Sequence, residues 1–175
     1  MFGFNKKKET QKTTEGLAFP KGTFFSTKTY GNDRGLSCCF RQWKADHSHC
    51  SLLHGYSLGF KITFECDSLD ERNWVQDFGG LNELKNWLDD NFDHTIVIAK
   101  DDPQRLALHD LEQKGLAKVV EMNQVGSEKF AEAVFREMTL ILEKHKHFKT
   151  SLNPTVRVRS VECFEHGANS AGFER

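Results

Sequence analysis

Apolar and polar residues alternate from position 54 to position 66, which puts Tyr56, Leu58, Phe60, Ile62 and Phe64 on one side. A period of two held over that length predicts a long, half-buried strand. Residues 156–164 alternate in the same way and predict the last strand. Residues 22–29 and 37–43 carry Phe, Thr and Cys in strand-like stretches, with a Gly31-Asn32-Asp33-Arg34-Gly35 turn between them. A polar turn at 67–73 and a short extended piece, Trp74-Val75-Gln76, then lead to a change of period. Phe78, Leu81, Leu84, Trp87 and Leu88 recur at helical spacing, with Asp77 as the expected N-cap and an end near Phe92. Residues 103–114 read as a short helix closed by Gly115, and residues 118–122 as a short strand. Ser127 is the expected cap of a longer helix with a stripe of Phe130, Val134, Met138, Ile141 and Leu142. Its end, Lys144-His145-Lys146-His147, puts cations where the helix dipole favours them.

Composition narrows the class. The chain has 175 residues, which suits one domain able to bury its own core. Residues 1–17 are polar, charged and aperiodic and read as a flexible tail. Residues 18–175 read as a single catalytic domain, with 101–122 as an insertion. Lys plus Arg is 24 and Asp plus Glu is 25, so no global positive field points to nucleic acid or an anionic membrane. The apolar run Thr95-Ile96-Val97-Ile98-Ala99 is far too short to cross a bilayer. The five cysteines are odd in number and lack a CxxC pair, and residues 1–15 lack the apolar core of a signal peptide. Reduced thiols in the cytoplasm are the expectation.

The chemistry concentrates in His47-Ser48-His49-Cys50-Ser51-Leu52-Leu53-His54. On an extended strand His47 and His49 would face one side, and His54 opens the next strand. Three imidazoles from adjacent strands suit an open zinc site with a position left for water or substrate. Cys50 among them is a thiol that neighbouring imidazoles or a metal can ionise. Asp93-His94 pairs a carboxylate with an imidazole that it can orient for acid–base work. Glu165, just past the last alternating run, can accept two parallel bonds from an N–H-rich ligand edge.

In order along the sequence, these residues fall into motifs. Trp43-Lys44-Ala45-Asp46-His47 is followed by Cys50-Ser51-Leu52-Leu53-His54-Gly55-Tyr56. Then come Val75-Gln76-Asp77-Phe78 with Leu84-Lys85, Phe92-Asp93-His94, Gly126-Ser127-Glu128, and Glu165 ahead of Ser170-Ala171-Gly172-Phe173. The set resembles the 6-pyruvoyltetrahydropterin synthase / 6-carboxytetrahydropterin synthase family from about Phe40 to Phe173. The resemblance implies an α+β tunnelling fold: an antiparallel sheet with helices on one face, whose subunits join into a β-barrel, typically as a homohexamer. It implies a pterin triphosphate substrate, 7,8-dihydroneopterin triphosphate, and Zn2+ on the substrate side-chain oxygens. It assigns His47 and His54 as zinc ligands, Cys50 as the proton-abstracting thiolate, and Asp93 with His94 as its acid–base partner. Glu165, with Ser127 at the helix start, would hold the pterin.

Two departures matter. The family's second histidine of His-Gly-His is Tyr56 here, and only Ser48 and His49 separate His47 from Cys50. His49 is the expected third zinc ligand, with the Tyr56 oxygen and loss of tight zinc binding as the other options. Arg41, Lys44, Arg157 and Arg159 are the cations available to a triphosphate. The expected activity is zinc-dependent 6-carboxytetrahydropterin synthesis, a carbon–carbon lyase reaction on the route to 7-deazaguanine bases such as queuosine. The alternatives are 6-pyruvoyltetrahydropterin synthesis and a pterin-binding homologue without turnover.

Overall fold

In a computed structural model, residues 21–148 and 153–175 are described, and the 1–17 tail lies outside them. The order of elements is β1 (Phe24–Tyr30), β2 (Leu36–Phe40), β3 (His54–Cys66), α1 (Asn82–Phe92), β4 (Thr95–Ala99), α2 (Arg105–Gln113), β5 (Val119–Met122), α3 (Ser127–His147), β6 (Arg157–His166) and β7 (Asn169–Glu174). The long alternation becomes β3, whose Leu58, Phe60, Ile62, Phe64 and Cys66 are fully buried while Lys61, Thr63 and Glu65 stay partly exposed.

The strands form one sheet in the order β5-β4-β2-β3-β6-β7, and β1 also pairs with β3. The expected all-antiparallel sheet is corrected to a mixed one. β2 with β4, and β4 with β5, are parallel, while the other pairings are antiparallel. Each parallel neighbour is reached through a helix: α1 leads from β3 into β4 beside β2, and α2 returns the backbone so that β5 runs beside β4 in the same direction.

Three local expectations also change. The strand expected over 37–43 stops at Phe40, because the next residues turn back on themselves. Gln42 N–H donates to the Cys50 carbonyl at 2.8 Å, and Ala45 N–H to the Gln42 carbonyl at 2.8 Å. Thr95–Ala99, a plain apolar run in the sequence, is β4; it lies between β2 and β5 and so carries no alternation. Asn169–Glu174, rich in small polar residues, is the edge strand β7, secured by Phe173 against Phe135 with ring centroids 5.0 Å apart.

The core lies between the sheet and α1 with α3. Leu84, Leu88 and Phe92 come from α1, and Phe130, Val134 and Met138 from α3. Their rings make a series across the layers: Phe60–Phe92 at 5.0 Å, Phe92–Phe130 at 5.2 Å and Phe130–Phe40 at 5.0 Å. Tilted and edge-on contacts of this kind add to the burial of each ring. Asp77 caps, but it caps the short 3-10 turn Phe78–Gly80 through Gly79 N–H at 2.8 Å, one step before α1. Ser127 opens α3 without capping it; Gly126, at φ 121°, holds the cap position. Among the described residues no helix is long and apolar enough to cross a membrane.

Phe92 is the hub of the ring series, touching Phe60, Trp87 and Phe130. Phe92→Ala is expected to lower the unfolding free energy by about 3–5 kcal/mol. Urea unfolding checks this, read as a lower midpoint at unchanged slope.

Candidate active site

The site forms where the β3–β6 ladder ends. The last paired residues are Gly59 and Phe164, and beyond them the two strands part. Asn32 bridges the gap, its side-chain amide donating to the Ser57 carbonyl at 2.6 Å and the Phe164 carbonyl at 3.1 Å. On the far side of β6 the pairing with β7 slips between Phe164 and His166, so Glu165 sits in an irregularity of the ladder. A bulge of this kind re-aims a side chain. Here the Glu165 carboxylate accepts from the Ser127 hydroxyl at 2.8 Å. The absence of a capping duty for Ser127 is what leaves that hydroxyl free for Glu165.

His54 and Tyr56 are the first side chains of β3 on their face. His54 Nδ1 lies 2.8 Å from the Leu52 carbonyl, an acceptor only, so Nδ1 carries the proton and Nε2 keeps its lone pair. The His54 ring packs on Phe40 at 4.8 Å and stands edge-on to Tyr56 at 5.6 Å. Between them, Gly55 has no room for a side chain: a Cβ there would lie 2.9 Å from the Cys38 carbonyl oxygen of β2. Burial pushes the Tyr56 phenol up, and the charges of Glu165 and Cys50 push the same way.

Residues 41–53 form a folded loop, which corrects the placement of His47 and His49 on a strand. His47 lies in a turn and is 83% exposed, with Asp46 3.9 Å from its Nδ1. His49 and Cys50 belong to the 3-10 turn His49–Ser51, capped by Ser48, whose hydroxyl accepts from Cys50 N–H at 3.2 Å. The three imidazoles are therefore not gathered: among the described residues no group of three or more His, Cys, Asp or Glu side chains is arranged to hold a metal ion. The residue types still suit zinc, since the hydrogen bond of His54 Nδ1 leaves Nε2 as its outward ring nitrogen and two further imidazoles lie on the adjoining loop.

The loop is moored by the segment that follows β4. Arg41 makes a two-pronged ion pair with Asp102, at 2.8 and 3.1 Å, and the Asp102 side chain is 1% exposed. Asp101 accepts from the Trp43 indole N–H at 3.2 Å and from Lys44 at 2.6 Å. Arg157 is likewise committed, to Glu65 and Asp67. Three of the four cations expected near a triphosphate therefore already hold carboxylates. The mooring was not legible in sequence, because nothing in Asp101-Asp102 announces which of the two is buried.

The Asp93–His94 pair is formed. His94 Nδ1 is 2.8 Å from Asp93 Oδ1, which leaves Nε2 outward on a side chain 84% exposed. His94 adopts φ 53°, the left-handed region that His enters more readily than most residues, at the junction of α1 and β4. It borders a cavity of about 630 Å³ together with Cys39, Tyr56, Ser57 and Lys118. His94 and Tyr56 thus line one cavity.

A family profile described as 6-pyruvoyl tetrahydropterin synthase matches residues 32–175. The 6-carboxy-5,6,7,8-tetrahydropterin synthase of Rickettsia bellii (strain RML369-C) is 33% identical over 75 residues, covering 38% of this chain and 54% of that protein. A protein of the same name from Aquifex aeolicus (strain VF5) is 32% identical over 65 residues, 37% of this chain and 40% of its own. The chain thus spans about half the length of the curated relatives it matches. An uncharacterized protein of Wolinella succinogenes superposes with a TM-score of 0.69 at 20% identity, over 87% of this chain and 98% of that one. The 6-pyruvoyl tetrahydropterin synthase of Plasmodium vivax superposes at 0.59 with 13% identity, over the same shares. At these identities the two structures speak for the fold.

Arg41→Met would leave the Asp102 carboxylate buried without its partner. It is expected to cost about 3–5 kcal/mol and to open residues 41–53. Thermal melting and chymotryptic cleavage at Trp43 check this. A second expectation concerns the thiols. Burial pushes Cys38 up to about 12 and Cys163 higher still, so both stay protonated and shielded. Native alkylation near pH 8 should modify Cys50 and spare Cys38, Cys66 and Cys163, as read by peptide mass analysis. Because folding raises these thiols above their unfolded values, their contribution is complete below the ordinary thiol range. It is lost as pH climbs toward 12, so the melting point should fall in that window.

Proposed function

Because the chain belongs to the 6-pyruvoyl tetrahydropterin synthase family, we propose that it is a 6-carboxytetrahydropterin synthase, a carbon–carbon lyase acting on 7,8-dihydroneopterin triphosphate. The observation that carries the reading is Glu165, placed at an irregularity of the β6–β7 ladder and held by the Ser127 hydroxyl at 2.8 Å. A carboxylate so held suits the paired N–H groups of an aminopyrimidine edge. The choice of the 6-carboxy product over the 6-pyruvoyl one rests on the names of the curated relatives.

The protein's own groups divide the work. Cys50, at the turn beside His49, acts as a thiolate and takes a proton from a carbon of the substrate side chain. His94, with Nδ1–H held by Asp93, keeps Nε2 free to receive and return a proton at a substrate oxygen. Glu165 fixes the ring so that the substrate side chain reaches both groups. His47, His49 and His54 are the donors proposed for Zn2+, which when bound would polarise the substrate side-chain oxygens. Substrate and one water then become 6-carboxytetrahydropterin, acetaldehyde and triphosphate.

The proposed setting is cytoplasmic, supported by five free cysteines. The proposed assembly is a homohexamer that would cover the open strand edges; β7 and β5 end the sheet.

Incubation with 7,8-dihydroneopterin triphosphate followed by mass analysis tests the reading. The wild type should release acetaldehyde and triphosphate, and Cys50→Ala should be slower by at least about a hundredfold. A 6-pyruvoyl product would transfer the protein to the sister activity, and no turnover would overturn the enzyme reading. His49→Ala should lower the bound zinc measured by plasma emission.

A further inference from the structure

Residues 101–122 supply no motif to the resemblance and no group to the proposed chemistry, yet they carry a polar bracket of their own. His109 of α2 stands between two carboxylates. Its Nε2 lies 2.8 Å from Glu121 Oε1 of β5, and its Nδ1 lies 3.4 Å from Glu112 Oε2 in α2. Glu112 is held in place, because its other oxygen accepts from Val119 N–H at 2.9 Å where β5 begins. Arg105 Nε is 3.5 Å from the same Glu121 oxygen. A neutral imidazole has one N–H and one lone pair, so it can donate to only one of two carboxylates. The imidazolium donates to both. The bracket is therefore complete only when His109 carries two ring protons.

The bracket has mechanical weight because α2 meets the sheet with little apolar area. Leu108 is buried, Leu106 is exposed, and the residues of β5 are half-buried. β5 ends the sheet, paired along one edge with β4. Between α2 and β5, Gly115 at φ 70° turns the backbone. Leu116, Ala117 and Lys118 then line the cavity that His94 and Tyr56 border. What fixes α2 to β5 thus fixes one wall of that cavity.

We propose that His109 is a protonation-controlled latch, which as imidazolium binds α2 to β5 and on losing its proton to solvent loosens the cavity wall at residues 116–118. The charges facing it are Arg105 and Glu112 from α2, Glu121 from β5, and Lys100 from the end of β4, which acts on Glu121. Asp110 is taken by Lys114. With His109 protonated, Arg105 and His109 balance Glu112 and Glu121; without that proton, the two carboxylates are left with Arg105. The Glu121 hydrogen bond, opposed by burial and supported by Glu112, holds His109 above the ordinary imidazole value of 6.5. The latch is complete below that value and is lost as pH rises through the raised one. It stands apart from the pterin reading, and its failure would leave that reading untouched.

The test is made on the full-length protein by two measurements across a pH series. Proton magnetic resonance follows the histidine C2–H signals, with His109 identified by its loss in His109→Gln. Its midpoint should lie above 6.5 in the wild type and fall in Glu121→Gln. Hydrogen exchange read by mass analysis, corrected for the intrinsic rate at each pH, follows residues 115–122. Their protection should drop about three- to fivefold through the His109 midpoint, while residues 58–64 stay unchanged. In His109→Gln that drop should vanish, with protection at the low level throughout. A midpoint at or below 6.5, protection that ignores the midpoint, or a drop that persists in His109→Gln would each overturn the latch. Should His109→Gln melt well below the wild type, Glu121→Gln, which keeps the imidazole, carries the comparison. There the drop should move to lower pH together with the midpoint, and a drop that stays in place would overturn the proposal.

Discussion

The backbone pairing of β3 is the constraint on which the rest depends. Its first residues pair with β2 and its later ones with β1, while β6 lies along the opposite edge. A strand paired along both edges cannot slide without reversing which side chains are buried. Phe60, Ile62 and Phe64 are thereby committed to the helices, and His54 and Tyr56 to the end that β6 no longer reaches. The parting of β3 from β6 is the site's origin. It creates room, and it leaves backbone groups that Asn32 must satisfy.

A second physical tension shapes the loop that carries His47, His49 and Cys50. A connection made mostly of polar groups has little apolar area to hold it. Its anchorage comes instead from one buried carboxylate, Asp102, which demands a cation and receives Arg41. A buried pair of this sort is a weak source of net stability but a strong fixer of geometry, since either partner alone is costly. The loop's entry is thus fixed by chemistry that belongs to the other end of β4, and its reactive residues ride on a short turn whose own hydrogen bonds are local.

Much of this was legible in the residues. The alternation at 54–66 gave β3 its bounds, because one face is buried and the other is not. The helical stripes found α1 and α3 for the same reason. What stayed hidden follows a common cause. β4 is buried on both faces and has no period to read, and β7 is an edge strand of small residues that pairs with β6 and offers one large ring, Phe173, to the helices. The mixed direction of the sheet depends on where α1 and α2 return the backbone, which periodicity does not encode. At the site, Asp93–His94 and Glu165 were legible as neighbours or motif members. The pairing of Arg41 with Asp102 was not, nor was the turn that replaces an expected strand under His47 and His49. Both depend on contacts between residues far apart in the sequence.

Gly55 carries a consequence for how such a site can change over time. Its neighbour strand approaches so closely that any side chain would strike the Cys38 carbonyl, so that position is closed to variation. His54 is tied by its ring to the Leu52 carbonyl and to Phe40. Of the three residues that open β3, Gly55 is the one whose exchange would strike the neighbouring backbone. The backbone beneath these residues therefore restricts Gly55 far more than it restricts the ring that follows.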